Sequence, residues 1–395
     1  MVFQVIGIGN RKAQFATETA DLIARHTVFS GGHRHYELVG HLLPEGHIWL
    51  PVQAPMEVLY ESYLQANTAI VVFASGDPLF YGIGNTLRAK FPDAEIHTYP
   101  YFSSIQLLLH KAQLSANQLQ TVSVHGRPWT ALDEIIIQQK ALIGVLTDAE
   151  KSPSAIAKRL LEYGYTNYTM WIGEDLEAEN ESVQQLTLQE TAESAFHHLN
   201  CVILQKEKHR KIAFGIDDQL FEGLEGRPNM ITKMPVRLCS LHSLDLESKS
   251  VLWDIGFCTG SLSIEAKLRF PQLQVHAFEQ RPECLEILHK NQRRFGSPGI
   301  QAWMGDIFDT ALSDIPKPQA VFIGGHGGRL TELLQRIDQY LPVGGTMVIN
   351  AVQQDSITDF TAFASRPHWK LDEPLQLKVN AHNEITILKA TKQKC

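Results

Sequence analysis

Short apolar runs that stop at a glycine or an acid recur along this chain, with stretches of helical character between them. In the second half the runs are SVLWDIG (250–256), QVHAFE (274–279), QAWMGD (301–306), QAVFIGG (319–325) and GTMVINAV (345–352), all β-rich. Between them SLSIEAKLRF (261–270) and PECLEILHKNQRRFG (282–296) read as helices. Strands alternating with helices at this spacing predict a parallel sheet covered on both faces. LQLKVN and EITILKA, separated only by AHN, predict a terminal antiparallel hairpin added to that sheet.

The first half also opens with a strand and glycines, FQVIGIGN, and then differs. NTAIVVFASGDPLFYGIG (67–84) is a buried-type strand running into a second loop rich in glycine and proline. AEIHTYPYFSSIQLLLHKA (94–112) gives strand, loop and helix, and LIGVLTD (142–148) gives another strand. The SPSAIAKRLLEYG stretch after it starts a helix, with Ser at a cap position and Pro at the first helical position. NYTMWIGEDL and NCVILQKE complete this α/β set. A charged, glycine-bearing stretch of weak periodicity, KEKHRKIAFGIDDQLFEGLEGRPNMITK, follows and marks a linker near residue 208. Two domains, 1–207 and 208–395, are therefore expected, and they are not visibly repeats of each other.

Composition narrows the class. A chain of 395 residues is long for one domain, and 44% hydrophobic with 20% charged residues is ordinary for a soluble globular protein. No apolar run reaches bilayer length, and MVFQVIGIGN reads as a first strand and not an export signal, so the cytoplasm is the expected address. The five cysteines (Cys201, Cys239, Cys258, Cys284 and Cys395) are scattered with no CxxC pair, which argues against a disulfide framework or structural zinc. The seventeen histidines form no HExxH pattern; His33/His35 and His197/His198 read better as surface or core residues than as metal ligands. A net charge of −8 and a pI near 6.1 argue against broad nucleic-acid binding, while leaving room for a local basic pocket.

The stretch DIGFCTGSLSIEAK, Asp254 to Lys267, carries the cofactor chemistry. A dinucleotide turn of the GxGxxG kind needs its second glycine for close approach to a pyrophosphate. Aligned from Gly256, the three positions hold Gly256, Cys258 and Ser261, so two fail; the N-terminal loop, with Gly7, Gly9 and Lys12, fails at the third. S-adenosylmethionine has no phosphate and asks only for a tight turn near its amino-acid end and an acid for its ribose. Glu279 closes the second strand 19 residues beyond Gly260, and Asp306 closes the third, where an acid or its neighbour meets the adenine. The ordered set Asp254/Gly256/Gly260, Glu279 and Asp306 falls at carboxyl ends of strands, where open α/β sheets bind ligands. The competing account has the acids capping helices and the glycines merely turning the chain.

On MITKMPVRLCSL, DIGFCTGSLSIEA, GDIFD, VFIGGHGG and GGTMVINAV, the second half resembles the CbiT-type methyltransferases of corrin biosynthesis. On VIGIGN, SGDPLFYGIG, SSIQLLLHKA, VSVHGRP and LTDAEKSPSAIAKRLLE, the first half resembles the CbiE type of the tetrapyrrole (corrin/porphyrin) methylase superfamily. The order of the halves is that of the fused CobL-type C(5,15)-methyltransferases, and the resemblance covers nearly the whole chain. It implies a two-lobed tetrapyrrole methylase fold followed by a Rossmann-like methyltransferase fold, each holding one S-adenosylmethionine. It further implies an enzyme of vitamin B12 synthesis that methylates ring carbon 5 with its first half and ring carbon 15 with its second. The second half would also decarboxylate the ring carbon 12 acetate of a precorrin-6 intermediate. Any cobalt would come with the substrate, no membrane or nucleic acid is involved, and homo-oligomers are the family's habit.

Carried over residue by residue, the resemblance places N-terminal cofactor contacts at Gly7 and Gly9, at Gly76, Asp77 and Pro78, and at Ser103 and Ser104. In the second half it places them at Thr232, Asp254, Gly256, Phe257, Cys258, Thr259, Gly260, Glu279, Asp306 and Ile307. Gly324, Gly325, Gly327 and Gly328, with Asn350, would form a substrate-facing wall. The chain departs from the pattern in three places. Asn10 and Arg11 replace the usual Pro-Gly, Phe257 and Cys258 replace a small residue and a glycine, and His326 stands where serine is common. An activated methyl donor and an electron-rich ring carbon need positioning more than a protein nucleophile, so Cys258 reads as a neutral filler. Decarboxylation needs a proton, for which His326 is the candidate donor or carboxylate contact, with a loop histidine exposed to solvent as the alternative. Arg34, Arg127, Arg237 and Arg329 are candidate partners for substrate carboxylates. Rival readings are a methyltransferase for RNA or protein, and a first half that serves as a scaffold without cofactor.

Overall fold

A computed structural model describes residues 1–211, 214–227, 229–381 and 383–394. Cys395, and His382 of the AHN stretch, lie outside the described residues. The chain divides into two units: 1–127, 140–158 and 168–207 form one, and 128–139, 159–167 and 208–395 form the other.

The first unit holds two five-stranded sheets. β1 (Val2–Ile8), β2 (Val28–Gly31), β3 (Ile48–Pro51), β4 (Ile70–Ser75) and β5 (Glu95–Tyr99) form an all-parallel sheet in the order β3-β2-β4-β1-β5. β6 (Leu119–Ser123), β7 (Leu142–Leu146), β8 (Tyr168–Glu174), β9 (Ser182–Thr187) and β10 (Asn200–Lys206) form a mixed sheet in the order β6-β7-β10-β8-β9. β1 and β4 are near-continuous apolar runs because both of their faces are covered, with Phe3, Val5, Val72 and Phe73 fully buried. Gly7 pairs with Ala74 and Ile8 with Ser75, so the loops that leave β1 and β4 emerge side by side.

The second unit is built on an eight-stranded sheet. Its strands are β11 (Val251–Ile255), β12 (Gln274–Glu279), β13 (Ile300–Met304), β14 (Ala320–Ile323), β15 (Thr346–Ala351), β16 (Trp369–Leu371), β17 (Leu375–Leu377) and β18 (Ile385–Lys392). The order is β13-β12-β11-β14-β15-β18-β16, with β17 also on β18. β11 to β15 run parallel, and β18 is antiparallel to β15, β16 and β17. The order reverses between β11 and β14, the switch point where such sheets open a crevice for ligands. Two buried clusters cover the two faces: Leu252, Ile264, Val275 and Leu288 lie in one, Trp253, Ile323, Leu334 and Phe360 in the other.

The segment after β10 is ordered by a buried arginine. Arg237, fully buried on the helix Met234–Leu244, donates to Glu265, to Asp218 at 2.9 Å, and to the carbonyls of Thr232 (2.7 Å) and Ile216. Glu265 also accepts from the Gly215 and Ile216 amides at 2.8 and 2.9 Å. Asn291 exchanges hydrogen bonds with the Glu222 backbone and donates to the Thr259 carbonyl at 2.9 Å. A stretch of weak periodicity is thus held by polar groups of the elements beneath it together with scattered apolar anchors, Ile216, Phe221 and Leu224, which are buried in the core.

Candidate functional site

The turn that leaves β11 is built from close backbone approaches. Gly256 has φ of +77°, and a Cβ there would sit 2.7 Å from the Gly325 amide nitrogen. Gly260, at φ +73°, would put a Cβ 2.2 Å from Leu288. Both positions exclude side chains sterically and conformationally. The Gly256 and Phe257 amides both donate to the Phe278 carbonyl, and the helix Ser261–Arg269 starts directly after Gly260. Phe257 is buried in the core beneath the turn.

Cys258 also adopts positive φ, +52°, in a region that costs a side-chain-bearing residue about 1–2 kcal/mol. Its contacts hold it there: the amide donates to Glu279 Oε2 at 3.1 Å, and the thiol to the Met230 carbonyl at 3.0 Å. Burial pushes this thiol up to about 12, with Cys284 and Glu279 adding to the rise, which leaves it a neutral group that fills space.

The acids at the strand ends differ in environment. Asp254 is 1% exposed, accepts from Ser263 Oγ at 2.5 Å through Oδ2, and leaves Oδ1 without a partner among the described residues. Burial raises its carboxyl to about 7, partly opposed by the Ser263 bonds and reinforced by Glu279. Glu279 is also buried, and it accepts from the Cys258, Gln280 and Arg281 amides and from Arg281 Nη1. This residue therefore shapes the turn as well as closing the strand. Asp306 is exposed beyond β13, accepts from the Phe308 amide at 2.9 Å, and lies 3.4 Å from Arg329. The Arg329 guanidinium stacks on Phe308 at 3.7 Å.

Asp254, Gly256, Phe257, Cys258, Glu279 and Asp306 line one cavity of about 730 Å³, together with Thr232, Thr259 and Ile307, whereas Gly260 faces Leu288 and does not line it. Thr259, 1% exposed, has no partner for its hydroxyl. Gly324, Gly325, His326, Gly327 and Asn350 line the same cavity; Gly328 is not among its lining residues. Gly324 would clash with the Gly256 carbonyl if it carried a Cβ (3.0 Å), so the loops after β11 and β14 meet backbone to backbone.

His326 is half-buried, with Nε2 3.2 Å from Ser356 Oγ and Nδ1 unpartnered. Desolvation lowers its pKa, and Asp359 opposes that shift. Asn350, at the end of β15, takes a hydrogen bond from Ser240 Oγ at 2.9 Å and has an unpartnered amide nitrogen. The Ser240 hydroxyl also lies 2.8 Å from the Val236 carbonyl, and one proton cannot serve both acceptors. The Ser240 and Ser356 hydroxyls were not singled out in the sequence, because 110 and 30 residues separate them from the groups they touch.

The four candidate arginines separate. Arg237 is corrected: it is fully buried and committed to Glu265 and Asp218, so it does not meet a substrate carboxylate. Arg329 lines the cavity but is paired with Asp306 and Glu332. Arg127 lies over the Tyr81 ring at 5.2 Å. Arg34 donates to Ser75 Oγ at 3.2 Å, at the end of β4. Of the histidine pairs, His33 contacts Glu37, His35 contacts Ser75, and the rings of His197 and His198 lie 4.2 Å apart. Among the described residues, no three His, Cys, Asp or Glu side chains gather where a metal could sit. No described helix is long and apolar enough to cross a membrane.

In the first unit the predicted motifs converge at the ends of β1 and β4. A Cβ on Gly7 would lie 2.1 Å from the Gly76 carbonyl and 2.7 Å from the Tyr101 amide. Gly76, at φ +63°, donates to the Ile8 carbonyl and approaches the Ser103 Cα. Ser103 caps the helix Ser104–Lys111 in a reciprocal box with Gln106. Asp77 accepts from the Leu79 amide at 2.8 Å, and the Pro78 carbonyl from Gly84 at 3.0 Å. Gly9 packs against Glu177 and Tyr101, and Asn10 donates to Asp175 at 2.6 Å.

Residues 5–192 match the tetrapyrrole (corrin/porphyrin) methylases, and residues 226–385 match the precorrin methyltransferase domain. A precorrin-6Y C(5,15)-methyltransferase (decarboxylating) from a Sinorhizobium species is 34% identical over 361 residues, 89% of this chain and 84% of that protein. A cobalt-precorrin-6B C(15)-methyltransferase (decarboxylating) from Salmonella typhimurium is 39% identical over 140 residues, 35% of this chain and 70% of that one. A cobalt-precorrin-7 C(5)-methyltransferase from the same organism is 35% identical over 142 residues, 36% of this chain and 68% of that one.

Proposed function

Since the chain belongs to the precorrin-6Y C(5,15)-methyltransferase (decarboxylating) family, we propose that each of its halves is a working S-adenosylmethionine site. The chain is a C-methyltransferase of cobalamin biosynthesis that acts on a precorrin ring and removes a carboxyl group. In the division proposed, residues 1–207 serve ring carbon 5. Residues 208–395 serve ring carbon 15 and the decarboxylation of the ring carbon 12 acetate.

One observation carries the C-terminal assignment: the glycine turn, the strand-end acids, His326 and Asn350 line a single cavity at the sheet's switch point. The fit to the cofactor is chemical. Gly256 and Gly260 let the turn pass tightly between Gly325 and Leu288, and among the described residues Asp254 Oδ1 and Thr259 Oγ1 are buried polar atoms without partners beside the cavity. When bound, S-adenosylmethionine supplies a methyl group on a sulfonium, a leaving group that needs no further activation. Asp254 and the turn would hold the ammonium of its amino-acid end, Glu279 its ribose, and Asp306 with Ile307 its adenine. Because Cys258 is held neutral, no covalent relay through it is invoked. The protein's share of methyl transfer is alignment.

For decarboxylation, His326 would deliver a proton to the methylene exposed on the side chain, and its Ser356 contact fixes the ring's attitude. Asn350 and the glycine loop Gly324–Gly328 would meet the carboxylate fringe of the ring; the Gly324 and Gly325 amides already donate to the Ile255 carbonyl, so that role would fall to the residues beyond them. In the N-terminal half, the loops at Gly7–Gly9 and Gly76–Pro78 and the cap at Ser103–Ser104 would bind the second cofactor. Equilibrium dialysis of S-adenosylmethionine against the whole chain tests the reading: two molecules per chain are expected, and one would leave the first half a scaffold.

A further inference from the structure

The loop after β8 holds two residues in a strained conformation beside the N-terminal glycine loop. Asp175 and Glu177 have φ of +46° and +69°, values that side-chain-bearing residues keep only where their surroundings impose them. Both side chains turn to the loop that leaves β1. Asp175 Oδ1 accepts from Asn10 Nδ2 at 2.6 Å, across 165 residues of chain. Glu177 Oε1 accepts from the Tyr101 hydroxyl at 2.8 Å and lies 4.0 Å from Arg11 Nη2. Glu177 Oε2, buried and without a partner among the described residues, occupies the space a Cβ on Gly9 would need, 2.2 Å from that position. Behind this contact the Glu177 amide donates to Glu181 at 2.6 Å, and Glu181 pairs with Lys111 at 2.5 Å. Lys111 ends the helix that Ser103 caps. One chain of contacts therefore runs from the glycine loop, through the loop 175–181, to the helix bearing Ser103 and Ser104.

We propose that Asp175 and Glu177 are positioning residues for methyl transfer at ring carbon 5: they latch the loop Gly7–Arg11 in its cofactor-binding shape. The proposal rests on the reading that this half binds S-adenosylmethionine. Asn10 and Arg11 are then matched to an acidic loop that holds them, and the loop needs no proline to be stiff. Without the latch the loop samples other shapes, and apparent affinity falls by the fraction of time it is competent.

The test uses the full chain in a Glu279→Ala background, where S-adenosylmethionine calorimetry is expected to separate an unweakened N-terminal site from the weakened C-terminal one. Asp175→Gly tolerates the positive φ but removes the acceptor, and should weaken that site roughly tenfold, the lower range for a hydrogen bond to a charged group. Asp175→Asn keeps an acceptor oxygen and suits the same backbone, so it should bind like the parent. Asn10→Ala should match Asp175→Gly, and the double variant should lose no more than either. With Glu279 restored, Asp175→Gly should raise KM for S-adenosylmethionine in carbon 5 methylation with kcat and carbon 15 methylation unchanged. The latch is overturned if Asp175→Gly or Asn10→Ala binds within twofold of the parent, or if Asp175→Asn is as damaging as Asp175→Gly. If the Glu279→Ala chain shows only the weakened site and no second one, the reading of the N-terminal half has failed, and the latch with it.

Discussion

Asp254 gives the most demanding prediction, because its carboxyl is buried, half-partnered and poised near neutrality. Desolvation raises it to about 7, against Ser263 bonds that lower it. At pH 7 the side chain should then be protonated in roughly half of the free molecules. A cation placed beside it favours the carboxylate, so S-adenosylmethionine binding should release roughly half a proton at pH 7 and nearly a whole one at pH 6. Affinity at this site should fall about tenfold per pH unit below 7 and level off above pH 8. Asp254→Asn keeps the shape and the Ser263 contact but cannot ionise. It should abolish the release and cost roughly 10- to 150-fold at pH 8, the range for one hydrogen bond between charged groups. Stability moves the other way. The raised pKa contributes stability that is full below the unfolded value of 3.8 and lost as pH rises through about 7, so the asparagine variant should be relatively more stable at pH 8. The assay is calorimetry at pH 6, 7 and 8 in buffers of different ionisation enthalpy. Equal buffer dependence in parent and variant would refute the reasoning.

Four further outcomes follow from the same geometry. Glu279→Ala should weaken C-terminal cofactor binding roughly 10- to 150-fold, and it should also lower the melting temperature because three amides lose their acceptor; unchanged affinity by calorimetry would remove Glu279 from the site. Cys258→Gly should leave methyl transfer at carbon 15 within about threefold of the parent, since the thiol's loss is offset by relief of about 1 kcal/mol of backbone strain; inactivation would restore a chemical role for sulfur. His326→Gln should slow carbon dioxide release at least about 100-fold, the lower range for general acid catalysis, while S-adenosylmethionine affinity stays put; equal rates would return His326 to an ordinary loop histidine. Arg237→Leu should cost about 3–5 kcal/mol in denaturant unfolding of the second unit, because Glu265 and Asp218 are left buried or half-buried without their cation.

The sequence shows the second sheet clearly where strand ends carry chemistry. Asp254, Gly256, Glu279 and Asp306 lie at or just past the ends of β11, β12 and β13, as the acid-and-glycine punctuation indicates. The terminal hairpin is also visible and forms as β17 against β18. β16, which joins β18 from the other side, is only three residues long and carries too little pattern to register. In the first half β2, β3, β6 and β9 escape notice: β3, β6 and β9 are edge strands, β3 ending in Pro51 and β9 carrying Gln184 and Gln185, and β2 is an interior strand of only four residues. Arginine function was not readable either. Arg237 and Arg329 look alike in sequence, yet one is an internal strut and the other a surface stack on Phe308, and only long-range contacts distinguish them. Cys258 shows the converse: its odd place in a glycine turn is visible at once, but the Met230 and Glu279 contacts that hold it are not.

Both halves are proposed to transfer a methyl group, and the second also to remove a carboxyl group. The direct test is mass spectrometry of the ring product formed by the whole chain from a precorrin-6 substrate and methyl-labelled S-adenosylmethionine, run with metal-free and with cobalt-bearing rings. The account predicts a product that has gained two labelled methyl groups and lost one carbon dioxide from one of these rings. A product with a single added methyl group, or none from either ring, would contradict it.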